Sequence, residues 1–296
     1  MKHTSRVLGL VPILCLTIAG ALWAGGYANP QLLIEAQELA ARLNDPDLRI
    51  VDLRTEEAYQ QGHIPGAVHL DPRSLDDLEM NKQGLPLSKE KAETLFGALG
   101  IDGRTRVVAY DDTGGLFAAR LFYVLEFFGH QQVRLLNGGI GKWILEGHPR
   151  TSEIPRVRPK SFVARENPDV IATAEWVKAH LGNPKVCLVD ARSPQEYRGE
   201  DLRSNRRGGH IPGAVNIDWR ETLDPETLVF KPAEELRRLF EASGATKERE
   251  IVTYCQSGYR AAHSYFVARL LGYEKVRNYD ASWQEWGNDP ALPLER

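Results

Sequence analysis

The run Val51-Asp52-Leu53-Arg54, followed by Tyr59 and then Gly62-His63-Ile64-Pro65-Gly66-Ala67-Val68, recurs later in the chain. There it reads Val189-Asp190-Ala191-Arg192, Tyr197 and Gly209-His210-Ile211-Pro212-Gly213-Ala214-Val215. Further on, Val107-Val108-Ala109-Tyr110 is answered by Ile251-Val252-Thr253-Tyr254. Asn137-Gly138-Gly139 with Trp143 is answered by Asp280-Ala281-Ser282 with Trp286. The order is kept in both halves, and the repeat unit is well over a hundred residues long. Solenoid repeats run about 20 to 50 residues, so this is a duplicated domain.

Within each copy, short β-branched runs such as Ile50-Val51 and Val107-Val108-Ala109 alternate with helical patterns such as 116–128. Strands alternating with helices predict an α/β domain, an open and mainly parallel sheet with helices on both faces. The charged stretch carrying Pro149, Pro155, Pro159 and Pro168 has the composition of a linker. The expected organisation is therefore a leader over 1–28, a first domain over 30–149, a linker over 150–168 and a second domain over 169–296. With 296 residues, 42% of them hydrophobic, the chain can bury two cores of this size. A formal charge of −3 and the lack of basic tracts argue against a general nucleic-acid surface.

The N-terminus reads Met1-Lys2-His3-Thr4-Ser5-Arg6, then an apolar stretch from Val7 to about Trp23, then Ala24, Gly25, Gly26 and Ala28. A basic start, an apolar middle and a small-residue exit form a secretory signal, so the protein is expected to be exported to the periplasm and to meet membrane only through that segment. Beyond Cys15 only Cys187 and Cys255 remain, too few for a disulfide framework. Cys187 falls in a short apolar run that predicts a buried, inert strand position. Cys255 is the candidate working thiol.

Cys255 opens Cys255-Gln256-Ser257-Gly258-Tyr259-Arg260, between a predicted buried strand and a helical pattern that stops at Gly272. The matching place in the first copy is Asp111. In open parallel sheets ligands bind beyond the carboxyl ends of strands, and N-H groups at a helix entrance favour anions. A thiolate is such an anion, so the location favours the form of Cys255 that attacks.

Tandem domains with these Asp-x-Arg and Gly-His-Ile-Pro-Gly-Ala segments, a cysteine loop only in the second copy, and Tyr279-Asp280-Ala281-Ser282-Trp283 near Trp286-Gly287 resemble the two-domain rhodaneses of exported bacterial type. The resemblance implies that Cys255 is the nucleophile that carries a persulfide, that the amides from Gln256 through Ser257, Gly258 and Tyr259 to Arg260 cradle its outer sulfur, and that the first copy is catalytically silent. Phosphate-handling thiol enzymes commonly use Cys-x5-Arg; the interval here is Cys-x4-Arg, a tighter ring that suits a single sulfur atom.

The implied reaction has two halves. Cys255 takes sulfur from a small sulfur oxyanion, thiosulfate, and passes it to cyanide or a thiol, in ping-pong fashion. Arg260 is expected to stabilise the anion and the thiolate. No cofactor or metal is expected. Two alternatives stand beside this one: a 3-mercaptopyruvate sulfurtransferase, and an exported persulfide carrier with little turnover. Gln256 after the cysteine and Glu196 before Tyr197 depart from the mercaptopyruvate pattern, and a negative charge at Glu196 is expected to repel a carboxylate donor. The second copy also has an extra segment, 198–208, whose Arg206 and Arg207 are expected to form an electropositive mouth. Asp52, Arg54, Asp190, Arg192, His63 and His210 occur in both copies and are expected to be structural, as are Tyr254 and Trp286.

Overall fold

The computed structural model describes residues 26 to 296. The leader expectation falls almost wholly on residues 1–25 and so lies outside the described residues. The first described residues are pinned to the second domain. Tyr27 Oη donates to the Lys231 carbonyl at 2.6 Å, and the Asn29 amide donates to the Leu270 carbonyl at 3.1 Å.

Ten strands form two five-stranded sheets. The first holds β1 (Leu33–Ile34), β2 (Leu48–Asp52), β3 (Val68–His69), β4 (Arg106–Tyr110) and β5 (Val133–Leu136), in the order β1-β5-β4-β2-β3. The second holds β6 (Ile171–Ala172), β7 (Val186–Asp190), β8 (Val215–Asn216), β9 (Glu250–Tyr254) and β10 (Val276–Tyr279), in the order β6-β10-β9-β7-β8. Every pairing is parallel, with Asp52 opposite Tyr110 and Asp190 opposite Tyr254. The two domains are thus copies of one α/β fold. All five residues of β7 and four of the five in β9 are buried, which is why these strands read as apolar runs without alternation.

The residues shared by both copies hold each domain together. Arg54 Nη2 reaches Asp52 Oδ2 at 2.7 Å and the Gly62 carbonyl at 2.8 Å. Arg192 repeats this with Asp190 at 2.6 Å and the Gly209 carbonyl at 2.7 Å. Each arginine thereby ties the end of a central strand to the start of the Gly-His-Ile-Pro-Gly turn. His63 and His210 stack on Tyr59 and Tyr197, with ring centroids 3.8 and 3.7 Å apart, and direct Nδ1 to the carbonyl of the same tyrosine. Both imidazoles are therefore committed to packing.

The proline-bearing stretch from 152 to 167 has neither helix nor strand, yet it lies along the first domain. Its Lys160 and Arg165 amides donate to the carbonyls of Gly97 and Phe128, and Phe162 is buried against Phe96. The domains then meet through their longest helices, Leu116–Phe127 and Tyr259–Leu270. Phe122 packs edge-on against Phe266 at 5.0 Å and Tyr123 against Tyr265 at 5.3 Å, a pseudo-twofold pairing within one apolar cluster that draws residues from both sheets.

Candidate active site

Cys255 follows the last residue of β9 and is 1% exposed. Its backbone is held on both sides by the segment after β10. The Cys255 amide donates to Ser282 Oγ at 3.1 Å, and the Cys255 and Gln256 carbonyls accept from the Trp283 and Gln284 amides, each at 2.9 Å. Ser282 sits in the left-handed region at φ 56°, as does its counterpart Gly139 at φ 54°. A serine there is strained. Its hydroxyl, which accepts from Cys255 and donates to the Tyr279 carbonyl at 2.7 Å, fastens it in place.

The chain then turns through Gly258 at φ 86° into the helix Tyr259–Leu270. A side chain at Gly258 would meet Asp280 Oδ1 at 2.5 Å, so glycine is required both for the turn and for the close approach. Among the described residues, none of the N-H groups of residues 256 to 261 donates to a protein acceptor. The first copy shows what a set of amides at this turn binds. The buried carboxylate of Asp111 accepts from the amides of Thr113 and Gly115 through Oδ1 and from those of Phe117 and Ala118 through Oδ2, at 2.8 to 2.9 Å. The first copy fills its own anion cradle with its own side chain.

A cleft of about 370 Å³ opens over the cysteine loop. Gln256, Ser257, Tyr259 and Arg260 line it on the side of the cysteine loop; Glu196, Arg203, Trp219 and Arg220 line it on the other. Arg260 and Glu196 form a two-pronged ion pair at 2.6 and 2.9 Å. Burial opposes the charge of each. Even so, Arg260 pulls the Glu196 carboxyl down to about 2, and Glu196 together with the nearby Cys255 sulfur holds the Arg260 guanidinium above its ordinary value. Glu196 also closes a capping box with Ser193 at the start of its short helix. The expectation that Glu196 presents a free negative charge is corrected by this geometry: its charge is matched by Arg260.

The extra segment lies beside the cleft, but its arginines do not act as a pair. Arg206 is exposed outside the cleft lining, and its amide donates to Asn288 Oδ1 at 2.8 Å. The Arg207 guanidinium is committed to the carbonyls of Trp286, Gly287, Asp289 and Leu292, so it clasps the C-terminal segment; this corrects its expected place in the mouth. Arg203 and Arg220 take that position. Neither has a carboxylate partner among the described residues, and Arg220 lies over the Trp219 ring at 5.1 Å. Sequence spacing did not single them out, although Arg203 stands in the same extra segment.

Gln256 does not point its amide at a substrate position. It exchanges hydrogen bonds with Asn205 at 2.9 and 3.0 Å, and Asn205 also accepts from Asn288 at 2.9 Å. Tyr259 directs its hydroxyl to Asp76 Oδ2 at 2.6 Å and to the Pro72 carbonyl, both in the first domain. The side chains of Gln256 and Tyr259 therefore fix the loop, while their backbone amides have no protein acceptor among the described residues.

A Rhodanese-like domain model matches residues 35–146 and again 173–289. The chain belongs to the rhodanese family. Among its rhodanese relatives, a thiosulfate sulfurtransferase of Azotobacter vinelandii is 39% identical over 91% of this chain and 98% of its own length. One of Pseudomonas aeruginosa is 36% identical over 91% and 98%. A sulfur carrier protein of Thermus thermophilus, TtuD, is 40% identical over 92% and 99%. A solved structure of an anaerobic ergothioneine biosynthesis enzyme from Chlorobium limicola superimposes with a TM-score of 0.83 at 26% identity, over 90% of this chain and 71% of that one. The chain is a sulfurtransferase with two rhodanese domains, one carrying cysteine and one aspartate at the strand-to-helix turn.

Proposed function

We propose that this rhodanese uses Cys255 to move the sulfane sulfur of thiosulfate to cyanide or a thiol. The observation that carries the reading is the pair of matched loops. The Asp111 carboxylate occupies four convergent amides, whereas the amides of residues 256 to 261 at the matching turn have no protein acceptor among the described residues, and a cysteine side chain is shorter than the aspartate it replaces. One added sulfur extends Cys255 into that space as an anion.

In the first half-reaction the Cys255 thiolate attacks the outer sulfur of thiosulfate. The S-S bond of the donor breaks, and its electron pair leaves with sulfite. In the second, the acceptor's lone pair attacks the outer persulfide sulfur, and the Cys255 sulfur departs as thiolate. Arg203 and Arg220 are placed to receive the anionic donor at the cleft mouth, and the amides stabilise the charge on the transferred sulfur. The protein is read as exported to the periplasm.

Incubation with thiosulfate is expected to make the protein heavier by one sulfur atom. Cys255→Ser should stay unmodified, and thiocyanate should form only when the wild type meets cyanide. A second reading, a persulfide carrier, draws support from the Thermus relative named a sulfur carrier protein. It predicts the sulfur adduct without catalytic thiocyanate production. No adduct at all would exclude both.

A further inference from the structure

Arg120 stands on the interface helix of the silent domain, five positions after the cap residue Gly115, and is fully buried. It does not serve its own domain's loop. Nη1 pairs with Asp280 Oδ1, Nη2 reaches Asp280 Oδ2 at 3.1 Å, and Nη2 also reaches Asp76 Oδ1 at 2.9 Å. Asp280 is likewise fully buried, and its Oδ1 lies 2.5 Å from where a Gly258 side chain would begin; Arg120 Nη1 lies 3.2 Å from the same point. A charged pair from two domains therefore sits directly beneath the Gly258 turn that leads from Cys255 into the helix.

The opposite loop has no such pair. The residue five positions after the second cap, Gly258, is His263, and the counterpart of Asp280 is Asn137. His263 directs Nε2 to the Gly114 carbonyl at 3.1 Å, and burial brings its value down to about 4, so it is neutral. Asn137 Oδ1 accepts from the Phe230 amide at 3.1 Å. The two copies thus differ together at three places: the turn residue, the residue beneath the cap, and the residue that reaches across from the other domain. A buried ion pair is weak evidence for stability, because apolar replacements of similar size are often neutral or better. Its presence under only the reactive loop calls for a local reason.

We propose that Arg120 is a positioning residue for sulfur transfer: the silent domain lends it to the catalytic domain to balance Asp280 beneath Gly258, and that balance sets how readily the Cys255 loop carries negative charge. The idea rests on Cys255 being the reactive thiol. Its test reports that thiol whatever the donor, so failure would leave the sulfur-transfer reading standing.

The groups facing Asp280 are Arg120 and Tyr123 from the interface helix, Asp76 and Asn81 from the segment after β3, and Asn278 and Tyr259 from the second domain. Burial raises both tyrosines well out of the neutral range, so neither exchanges protons there. Arg260 and Glu196 face the Cys255 side of the loop as a matched pair.

The experiment is alkylation of the full chain by iodoacetamide across pH. Arg120→Leu leaves Asp280 uncompensated and should move the midpoint of the curve upward by on the order of one pH unit. Asp280→Asn removes one of the two carboxylates that face Arg120, leaving it paired with Asp76 alone, and should move it downward. Arg120→Lys, which keeps the charge, should stay near the wild type. A purely structural role would not produce shifts of opposite sign. Equal midpoints, or shifts in one direction for both variants, would overturn the proposal. If Arg120→Leu fails to fold, Asp280→Asn against Arg120→Lys decides it: an unchanged midpoint in Asp280→Asn overturns it.

Discussion

At Glu196 and Arg260 one contact changes what both side chains do. Read separately, the first repels carboxylates and the second attracts anions. Joined through two hydrogen bonds, they form a neutral wall of the cleft that also braces the helix carrying Arg260. Because Arg260 lowers the Glu196 carboxyl to about 2, below its unfolded value near 4.5, the pair stabilises the folded state above the unfolded value. That contribution disappears as pH falls from about 4.5 to about 2, when the unfolded carboxyl takes up its proton first. Glu196→Gln should therefore be less stable than wild type by about 1 to 3 kcal/mol at pH 7. Denaturant unfolding at pH 7, 4.5 and 3 should show the difference shrinking as acid is added. A difference that holds constant would mean the pair's charge is not the stabilising feature.

The extra segment, 198–208, is the element that most separates the two copies. Three side chains hold it: Arg207 clasps the C-terminal carbonyls, Asn205 locks to Gln256, and Asn288 closes the amide network. Held in this way, it presents Arg203 to the cleft from a left-handed backbone at φ 50°. Asparagine tolerates that conformation, so Arg203→Asn removes the charge without adding strain. Arg203→Asn and Arg220→Gln should each raise the Michaelis constant for thiosulfate several-fold at low ionic strength. The effect should fade toward 0.5 M salt, where about 4 Å of screening length remains. Arg206→Glu, outside the cleft, should change it little. An equal effect from all three would point to general surface charge instead. The contrast shows where sequence reading stops. The strand, the cysteine and the Gly258 cap follow one another in the chain, and a repeat exposes them by comparison, so β9, the loop and the helix were legible. So was the shared role of Asp190 and Arg192, two residues apart. The partners of Arg207, Gln256 and Glu196 are 79, 51 and 64 positions away, and no local pattern reports such contacts. Arg203 was missed because a run of three arginines within five residues reads as one charged patch until the backbone separates their directions.

At the scale of the whole molecule, duplication has produced two domains that share one apolar cluster. The first domain keeps its fold through the same Asp-Arg and Tyr-His arrangements, yet its helix Leu116–Phe127 packs on Tyr259–Leu270 as well as covering its own sheet. Glu126 accepts from Tyr265 Oη at 2.8 Å and Arg269 at 2.9 Å across the interface, Asp76 accepts from Tyr259 in the same direction, and Arg120 crosses the other way to Asp280. With aromatic pairs and polar anchors crossing in both directions, neither core is closed without the other, so the two domains should unfold together. Phe266 is fully buried against Phe122 and Phe230, and Phe266→Ala should cost about 3 to 5 kcal/mol. The loss should fall on both domains although the substitution lies in one. Hydrogen exchange of the central strands β4 and β9 reads this directly: both should speed up by the same factor in the variant, and both should share one transition in the wild type. Faster exchange confined to β9, or two separated transitions, would show that the domains are independently stable and that the first is not needed to hold the second in shape.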